Sequence, residues 1–257
     1  MMLSISGRTA IVTGAGNGLG RAISIELARE GATVALIGRQ RPKLESVARE
    51  LEQMGARAIV VQCDTSDPVS VDVARDALTD EEVSILINNA GVAGPVAPLV
   101  DIDPSDWDDV FAVNVRGVFL MCREFLPQMI ARGRGDIINV SSVAAKRPLA
   151  ARTPYGASKA ALLGLTATLA VEVAPLGVSV NAISPGPIAG PRMSRNFALE
   201  AARRGIPIEQ AEEEYVSRAA SKRMVTEGEV GRAVVGMLGM SGLIGADLDL
   251  TAGMIAR

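Results

Sequence analysis

The sequence of 257 residues contains no histidine and few aromatic side chains. Histidine is the side chain whose ordinary pKa lies nearest neutral pH, so its absence excludes the usual proton-transfer group. Aromatic residues account for 3% of the chain and hydrophobic residues for 48%, so the core must be built mainly from aliphatic side chains. This length and apolar fraction suit one large domain with a substantial core.

Cysteine, positive charge and long apolar runs are also scarce. Cys63 and Cys122 lie in separate apolar segments rather than in a metal-like pair, which favours buried, reduced thiols. The formal net charge of −3 provides no positive field for nucleic acid. The N-terminal residues lack a secretory leader pattern, and no uninterrupted apolar run reaches the roughly 18 residues typical of a membrane span. We therefore expect a cytoplasmic protein with neither a membrane nor a nucleic-acid partner.

Short β-branched apolar segments alternate with longer amphipathic segments along the chain. The short segments predict strands buried on both faces at 8–13, 33–38, 57–62, 84–89, 136–142 and 178–184, and a last strand is expected near 247–251. The intervening segments predict helices, the longest from Asp106 to Arg132. This alternation favours α/β architecture: a single Rossmann-type domain over residues 1–257, with a doubly wound parallel sheet of about seven strands and helices on both faces.

One stretch interrupts this alternation. Residues 186–224 separate the sixth predicted strand from a last helix near 227–240, and no linker or composition shift marks a second domain. We interpret the segment 186–224 as helical pieces laid over one end of the sheet, where α/β folds usually place a substrate lid.

A glycine-rich loop, TGAGNGLGRAI (13–23), follows the first predicted strand and opens the first predicted helix. Gly14, Gly18 and Gly20 permit a tight turn and let backbone N–H groups at the helix start approach a phosphate. The spacing differs from the GxGxxG dinucleotide fingerprint, and a plain strand-to-helix turn is the alternative. The strand–loop–helix context favours a nucleotide-binding site.

The end of the second predicted strand indicates which nucleotide is bound. An NAD-selective site places a carboxylate there to bind the ribose hydroxyls, whereas an arginine accommodates a 2′-phosphate. This chain has Gly38 and then Arg39, so no carboxylate repels the phosphate and a guanidinium can pair with it. The alternative is that Arg39 is only the solvated start of the next helix. We favour NADP(H) over NAD(H).

Six motifs occur in order along the chain: TGAGNGLG, Asp64, NNAG (88–91), Asn114, Ser142 and YGASK (155–159). On these predicted elements they resemble the short-chain dehydrogenase/reductase family, over the range from the first strand to Pro185–Gly186. The resemblance implies a Rossmann-type NAD(P)-dependent oxidoreductase acting on a carbonyl or secondary alcohol.

Tyr155 and Lys159 offer an answer to the missing histidine. Residues at i and i+4 share one helix face, so the lysine lies beside the tyrosine ring. A free tyrosine titrates near pH ~10, too high for a base at neutrality. A neighbouring ammonium and the positive nicotinamide of an oxidised cofactor would favour the phenolate and lower the pKa of Tyr155.

The resemblance also assigns individual roles. It implies that Tyr155 exchanges a proton with the substrate oxygen, that Ser142 hydrogen-bonds this oxygen, and that Ser141 points away. It further implies that Lys159 holds the nicotinamide ribose and that Asn114 supports a water chain to Lys159. Each of these residues also has an ordinary structural interpretation, as a surface, strand-end or helix-kinking side chain.

The same resemblance predicts the cofactor contacts. They are Gly14, Asn17, Gly18, Leu19, Gly20, Arg39, Asp64, Thr65, Asn89, Ala90, Gly91, Tyr155, Lys159, Pro185, Gly186 and Ile188. Two positions depart from the family pattern. Gly190 stands where a threonine is common, which removes one side-chain contact, and Thr251–Ala252–Gly253 replaces Asp-Gly-Gly after the last strand.

Candidate substrates are a 3-oxoacyl thioester, a sugar or a polyol. The arginines near the predicted site, Arg152, Arg192 and Arg195, could bind an anionic substrate group, whereas Arg203 and Arg204 fit a solvated helix face better. The competing hypotheses are a non-catalytic NAD(P)-binding regulatory protein, an NAD-dependent dehydrogenase, and a nucleotide-sugar dehydratase or epimerase. The last of these shares the Tyr-Lys pair but generally needs a longer C-terminal substrate domain. The resemblance also implies a homotetramer or homodimer formed through the helices near 105–132 and 155–175.

Overall fold

A computed structural model of the chain describes residues 5–255 and contains a seven-stranded parallel sheet with the order β3-β2-β1-β4-β5-β6-β7. The strands are β1 (Thr9–Thr13), β2 (Thr33–Gly38), β3 (Ala58–Gln62), β4 (Val83–Asn88), β5 (Gly135–Val140), β6 (Val178–Pro185) and β7 (Asp247–Leu250). The order reverses direction between β1 and β4, which creates a crevice at the carboxyl ends of these two strands.

Helices cover both faces of the sheet. They are α1 (Gly18–Arg29), α2 (Arg41–Gln53), α3 (Pro68–Asp76), α4 (Pro104–Phe111), α5 (Gly117–Arg132), α6 (Thr153–Val173), α7 (Pro191–Arg204), α8 (Ile208–Val216) and α9 (Glu227–Leu238). Helices α1, α2 and α9 pack on one face, whereas α3, α5 and α6 pack on the other. Alternate strand residues supply the two cores, as Val12 and Ile11 do in β1. The predicted fold class is confirmed.

The predicted strands agree with the observed strands to within two residues at most ends, but the prediction of full burial is wrong for the segment 57–62. Most of β3 is only half-buried, because this strand lies at the edge of the sheet and α2 and β2 cover it incompletely. The expected last strand, β7, occupies the opposite edge and is half-buried as well.

The long helix predicted from Asp106 to Arg132 is present, but it has three parts. Helix α4 leads into a π-helical turn at Ala112–Arg116, and α5 continues in the same direction. The lid segment (186–224) contains α7 and α8, as expected. A π turn widens a helix locally and is often found at functional sites.

A buried ion pair ties the amino ends of the central strands together. The Arg8 guanidinium donates to Asp136 Oδ2 at 2.6 Å and to the carbonyl of Ser84 at 2.7 Å, and Ser179 donates to Asp136 Oδ1 at 2.6 Å. These residues precede β1 or belong to β4, β5 and β6. Because the sheet is parallel, this network lies at the end opposite the crevice.

Within residues 5–255, the segment Thr153–Leu176 is long and apolar enough by length and composition to cross a membrane. It contains α6, which packs on β6 and contributes Leu162, Ala170 and Val173 to the core. Core packing therefore accounts for one side of the helix, while Val171 on the other side is 78% exposed.

Candidate active site

The loops at the carboxyl ends of the strands and the lid segment enclose a cavity of about 780 Å³. This volume lies within the range of ~300–1,000 Å³ common for small-molecule sites. Every residue predicted to contact the cofactor lines the cavity: Gly14, Asn17, Gly18, Leu19, Gly20, Arg39, Asp64, Thr65, Asn89, Ala90, Gly91, Tyr155, Lys159, Pro185, Gly186 and Ile188. Ser142 also lines it, whereas Asn114 lies behind Gly91.

The glycine loop leaves the start of α1 open toward the cavity. Gly14 and Gly18 have positive φ values of +67° and +54°, and a Cβ on Gly20 would lie 2.2 Å from the carbonyl oxygen of Gly14. The N-cap residue Asn17 makes no side-chain capping hydrogen bond, and the first turn of α1 contains no acidic residue. Its free N–H groups and the positive end of the helix dipole therefore fit an anionic diphosphate.

Hydrogen bonds to the Thr13 hydroxyl hold the glycine loop against the end of β4. Thr13 Oγ1 accepts hydrogen bonds from the N–H groups of Asn89 at 2.9 Å and Ala90 at 3.0 Å. The Asn89 side chain donates to the carbonyl of Thr13 at 2.9 Å. Although Asn89 lines the cavity, its amide nitrogen is therefore engaged in joining the two loops.

The end of the cavity beside β2 carries two cationic side chains. Arg39 and Lys43 are both exposed and line the cavity, and Lys43 Cβ lies 3.0 Å from the position of a Cβ on Gly16. Sequence reasoning identified Arg39 but missed Lys43. The available signal was charge, because Lys43 is a further basic residue in the first turn of α2, directly after the segment that contains Arg39.

Asp64 is a carboxylate at this same end of the cavity. Burial opposes its ionisation, but hydrogen bonds from Ser66 and the nearby charges of Arg39 and Arg116 outweigh burial and lower the pKa of Asp64. Ser66 donates to Asp64 Oδ1 through its hydroxyl at 2.6 Å and through its N–H at 3.0 Å. Asp64 is therefore an ionised acceptor near neutral pH.

Lys159 is buried beside the tyrosine, on the helix face that the spacing predicts. Its ammonium donates to the carbonyl of Val140 at 2.8 Å and lies 5.9 Å from the centre of the Tyr155 ring. The neighbouring serines have different partners. Ser141 donates to the carbonyl of Lys159 at 2.9 Å, whereas Ser142, whose hydroxyl accepts from the N–H of Ala144 at 3.1 Å, faces the tyrosine.

Asn114 lies in the π turn and is fully buried. Its side chain accepts from the N–H of Val92 at 2.8 Å and donates to the carbonyl of Val92 at 3.0 Å and to Ser158 at 3.0 Å. Ser158 in turn donates to the carbonyl of Tyr155 at 2.8 Å. Asn114 therefore connects the loop after β4 to the first turn of α6.

Four groups favour the ionised form of Tyr155. Burial raises the pKa of the phenol, but the charges of Arg192 and Lys159, the Ser142 hydroxyl and the charge of Arg152 together lower the pKa of Tyr155 below its ordinary value. Burial also lowers the pKa of Lys159, and the Arg192 charge adds to this effect. Lysine was expected to tune the tyrosine, but the part played by the arginines could not be seen in the sequence.

The five arginines considered in the sequence have three kinds of environment. The guanidinium carbons of Arg152 and Arg192 each lie 5.6 Å from the centre of the Tyr155 ring. Arg195 is exposed on α7 and does not line the cavity. Arg203 and Arg204 form ion pairs with Glu200 and Glu214, each at 2.7 Å, as expected for a solvated helix face.

The two departures from the family pattern both lie at unusual backbone conformations. Gly190 precedes α7 with φ +151° and ψ 178°, a conformation that is nearly restricted to glycine, so a threonine would be strained there. Ala252 has φ +54°, a left-handed conformation that glycine adopts more readily. Its carbonyl accepts from the N–H and the hydroxyl of Ser221, which holds the chain after β7 in place.

The cysteines behave as expected for buried thiols. Burial raises the pKa of Cys63 and raises that of Cys122 to about 12, so both remain protonated at neutral pH. The described part of the chain contains no group of three or more histidine, cysteine, aspartate or glutamate side chains that could hold a metal ion.

Comparison with known proteins identifies relatives of this chain. A sequence profile of the short chain dehydrogenase family matches residues 8–202. The D-threitol dehydrogenase of Mycolicibacterium smegmatis is 38% identical over 183 residues, which cover 70% of each chain. The structure of an NAD+-bound xylitol dehydrogenase has a TM-score of 0.93 at 30% identity, covering 98% of this chain and 100% of that one. The L-sorbose reductase of Gluconobacter frateurii, complexed with NADPH and L-sorbose, has a TM-score of 0.91 at 29% identity and covers 100% of both chains.

The lowered pKa of Tyr155 can be measured directly, because the chain contains two tyrosines. Burial raises the pKa of the other one, Tyr215. In a pH titration followed by phenolate absorbance, we expect one ionisation below that of free tyrosine and one above it. Tyr155→Phe should abolish the lower step, and the matched Tyr215→Phe should keep it. Arg192→Met should move the lower step to higher pH, because a cation that favours the phenolate is removed.

Persistence of the lower step in Tyr155→Phe would contradict this electrostatic assignment. An Arg192→Met titration identical to that of the wild type would show that Arg192 does not contribute, which leaves Lys159, Ser142 and Arg152 to set the ionisation.

Proposed function

Because the chain belongs to the short chain dehydrogenase family and is an NAD(P)-dependent oxidoreductase, we propose a specific reaction for it. The protein transfers hydride between NADP(H) and the carbonyl or secondary-alcohol carbon of a small substrate. Tyr155 acts as the general acid and base. The observation that carries the proposal is the position of Tyr155. It lies in the cavity between the open start of α1 and the lid segment, with Lys159 and Ser142 beside it.

Ser142, Tyr155 and Lys159 would have different roles in the reaction. The bound nicotinamide cofactor supplies hydride-transfer chemistry. During oxidation of an alcohol, Ser142 holds the substrate oxygen, and Tyr155 Oη accepts the hydroxyl proton. The buried ammonium of Lys159 stabilises the phenolate before the transfer and binds the nicotinamide ribose. In the reverse direction, Tyr155 donates the same proton to the carbonyl oxygen.

Asn114 is proposed to position these groups and to support a water chain to Lys159. A Cβ on Gly91 would lie 3.1 Å from Asn114 Oδ1 and 3.5 Å from Lys159 Nζ, so glycine leaves space between these two polar groups. A polar space of this kind suits a water that is hydrogen-bonded on several sides. Protons from Tyr155 would leave the site through it.

The preference for NADP(H) rests on the end of β2. Gly38 contributes no carboxylate to repel a 2′-phosphate, and Arg39 and Lys43 both face the cavity there. Related structures contain either cofactor, as NAD+-bound xylitol dehydrogenase and NADPH-bound L-sorbose reductase illustrate. The two cations next to a glycine therefore support the phosphorylated cofactor.

The substrate class follows from the size of the cavity and from the relatives. D-threitol dehydrogenase, xylitol dehydrogenase and L-sorbose reductase are named for polyols and a sugar. We propose a small alcohol or carbonyl compound, with polyols, sugars and 3-oxoacyl thioesters as the starting candidates. A non-catalytic regulatory protein would need the cofactor site but not the arrangement of Ser142, Tyr155 and Lys159.

We also propose a cytoplasmic homotetramer or homodimer, formed through α5 and α6. Phe119 on α5 is 50% exposed and Val171 on α6 is 78% exposed, and small residues such as Ala160 and Ala167 lie on the exposed side of α6. An apolar helix face of this kind favours close packing against another copy. Sedimentation equilibrium at micromolar concentration should therefore give at least twice the monomer mass of 26.7 kDa, and a stable monomer would contradict the proposal.

The catalytic proposal is tested by Tyr155→Phe, which keeps the ring but removes the exchangeable proton. We expect turnover with alcohol and ketone panels to fall by about 10²–10⁴-fold. Cofactor affinity, measured by calorimetry, should stay near that of the wild type. Phe197→Leu, which alters an apolar lid residue without touching this proton, is the matched control. Turnover near the wild-type level in Tyr155→Phe would remove Tyr155 from the mechanism, and turnover of no substrate by the wild type would favour the regulatory alternative.

The cofactor proposal is tested at two adjacent positions. Arg39→Ala should weaken NADP(H) binding by at most about 2–3 kcal/mol, because an exposed charged hydrogen bond is lost, and should affect NAD(H) much less. Gly38→Asp should reverse the preference, since the new carboxylate repels the phosphate and accepts from the ribose hydroxyls. A Cβ there would lie 3.3 Å from Leu44 Cδ2, a side-chain methyl that can shift slightly.

Cofactor titrations at fixed salt provide the measurement, since salt screens exposed charges. Arg41→Ala is the matched control, because Arg41 pairs with Glu45 outside the cavity. A wild type that prefers NAD(H), or an Arg39→Ala variant that loses both cofactors equally, would make this an NAD-dependent dehydrogenase.

A further inference from the structure

Two arginines from distant parts of the chain converge on the catalytic tyrosine. Arg152 precedes α6 and Arg192 lies in the first turn of α7, and both line the cavity. Each guanidinium carbon lies 5.6 Å from the centre of the Tyr155 ring. With Lys159 at 5.9 Å, three cations surround one phenol.

Neither arginine forms an ion pair with a carboxylate among the described residues. Arg152 donates to the neutral Asn196 side chain at 3.3 Å, and its Nη1 atom is buried without a hydrogen-bond partner among the described residues. Arg192 forms no ion pair or guanidinium hydrogen bond within residues 5–255. Buried donors are almost always satisfied, so an unpaired one that lines a cavity indicates an acceptor supplied by a ligand.

The acidic residues of the lid segment do not supply this acceptor. Glu200 and Glu214 line the same cavity, but they are paired with Arg203 and Arg204. Burial lowers the pKa of Arg152, and so does the like charge of Arg192, which shows that the two guanidiniums repel one another. An anion placed between them would offset this repulsion and accept hydrogen bonds from the N–H groups of both guanidiniums.

Lowering the pKa of Tyr155 does not by itself require both Arg152 and Arg192. Lys159 already places one buried cation beside Tyr155, and Ser142 adds a hydrogen-bonding group. The Arg152 guanidinium is partly desolvated, a cost that a substrate anion would offset, and Arg192 lines the same cavity. Phe197 and Tyr215 also line this cavity and make an edge-on aromatic contact at 5.8 Å.

We propose that the substrate of this enzyme carries a carboxylate, sulfonate or phosphate group a few bonds from the reacting carbon, and that Arg152 and Arg192 hold this group. The inference rests on the proposed function and narrows its substrate class. In oxidation, the carbinol carbon loses a hydride to the oxidised cofactor, the hydroxyl proton goes to Tyr155, and the C–O bond becomes a carbonyl. The anionic group is unchanged by the reaction.

The test compares anionic alcohols with neutral partners of similar size. The pairs are 3-hydroxybutanoate with 3-hydroxybutanamide, and 2-hydroxypropane-1-sulfonate and 2-hydroxypropyl phosphate with propane-1,2-diol, all at saturating cofactor. For at least one anion, the wild type should show a kcat/KM about 10- to 100-fold above that of its neutral partner, the range for charged hydrogen bonds. The anion with the largest ratio identifies the group.

Variants then test which residues recognise the anionic group of the substrate. Arg152→Met and Arg192→Met should each reduce the anion-to-neutral ratio about tenfold or more, mainly through KM. Both changes also remove a cation that favours the Tyr155 phenolate, which alters turnover of both members of a pair, so the ratio isolates recognition of the anion. Arg195→Met is the matched control, because Arg195 lies on the same helix as Arg192 but outside the cavity, and it should leave the ratio unchanged.

A binding measurement separates this inference from the catalytic proposal. Calorimetry of the cofactor-loaded protein should show binding of isobutyrate but not of isobutyramide, with isobutyrate binding lost in both arginine variants. A wild type that oxidises neutral alcohols equally well, or variants with unchanged ratios, would overturn the inference and leave the proposed function intact. If neither these probes nor the alcohol and ketone panels are turned over, the proposed function fails, and the isobutyrate titration still decides whether the arginines form an anion site.

Discussion

A buried ammonium joins α6 to the sheet. Lys159 donates to the carbonyl of Val140 at 2.8 Å, which fixes the N-terminal part of α6 against the carboxyl end of β5. A charge in such a place is retained only where a hydrogen-bond partner offsets its desolvation. The position of Lys159 places Tyr155 above the cavity and opposite Ser142. The position of the loop after β4 depends on the same part of α6, because Asn114 hydrogen-bonds both to Val92 in this loop and to Ser158 in α6.

The parallel sheet separates the polar groups of this protein into two sets. At the amino ends of the strands, the charges of Arg8 and Asp136 are paired with one another, although Arg8 Nη1 is buried without a hydrogen bond. At the carboxyl ends, the start of α1 is uncapped and the guanidiniums of Arg152 and Arg192 have no carboxylate partner among the described residues. Paired charges are retained within the fold, whereas unpaired charges that line a cavity favour binding of a ligand. The charges without a protein counterpart therefore lie at the cavity.

A chain without histidine can still lower the pKa of another side chain that is able to exchange a proton. Burial opposes ionisation of Tyr155, and the charges of Arg192, Lys159 and Arg152, together with Ser142, outweigh this effect and lower the pKa of the phenol. Because two of these cations belong to the lid and to the segment before α6, the charges that lower the pKa of Tyr155 also line the cavity. Under the proposed function, proton transfer and substrate recognition would therefore be electrostatically linked.

The sequence alone determined the features that depend on local spacing: the alternation of strands and helices, the glycine turn that Gly14 and Gly20 make possible, and the shared helix face of Tyr155 and Lys159. Each follows from a backbone period or from the absence of a Cβ. The tertiary structure alone decided which distant segments meet. It placed β3 at an edge, brought Lys43 to the cofactor end of the cavity, engaged the Asn89 amide with Thr13, and aimed Arg152 and Arg192 at one ring. These outcomes depend on how the lid and loops pack over the sheet, and no local period in the sequence encodes such long-range contacts.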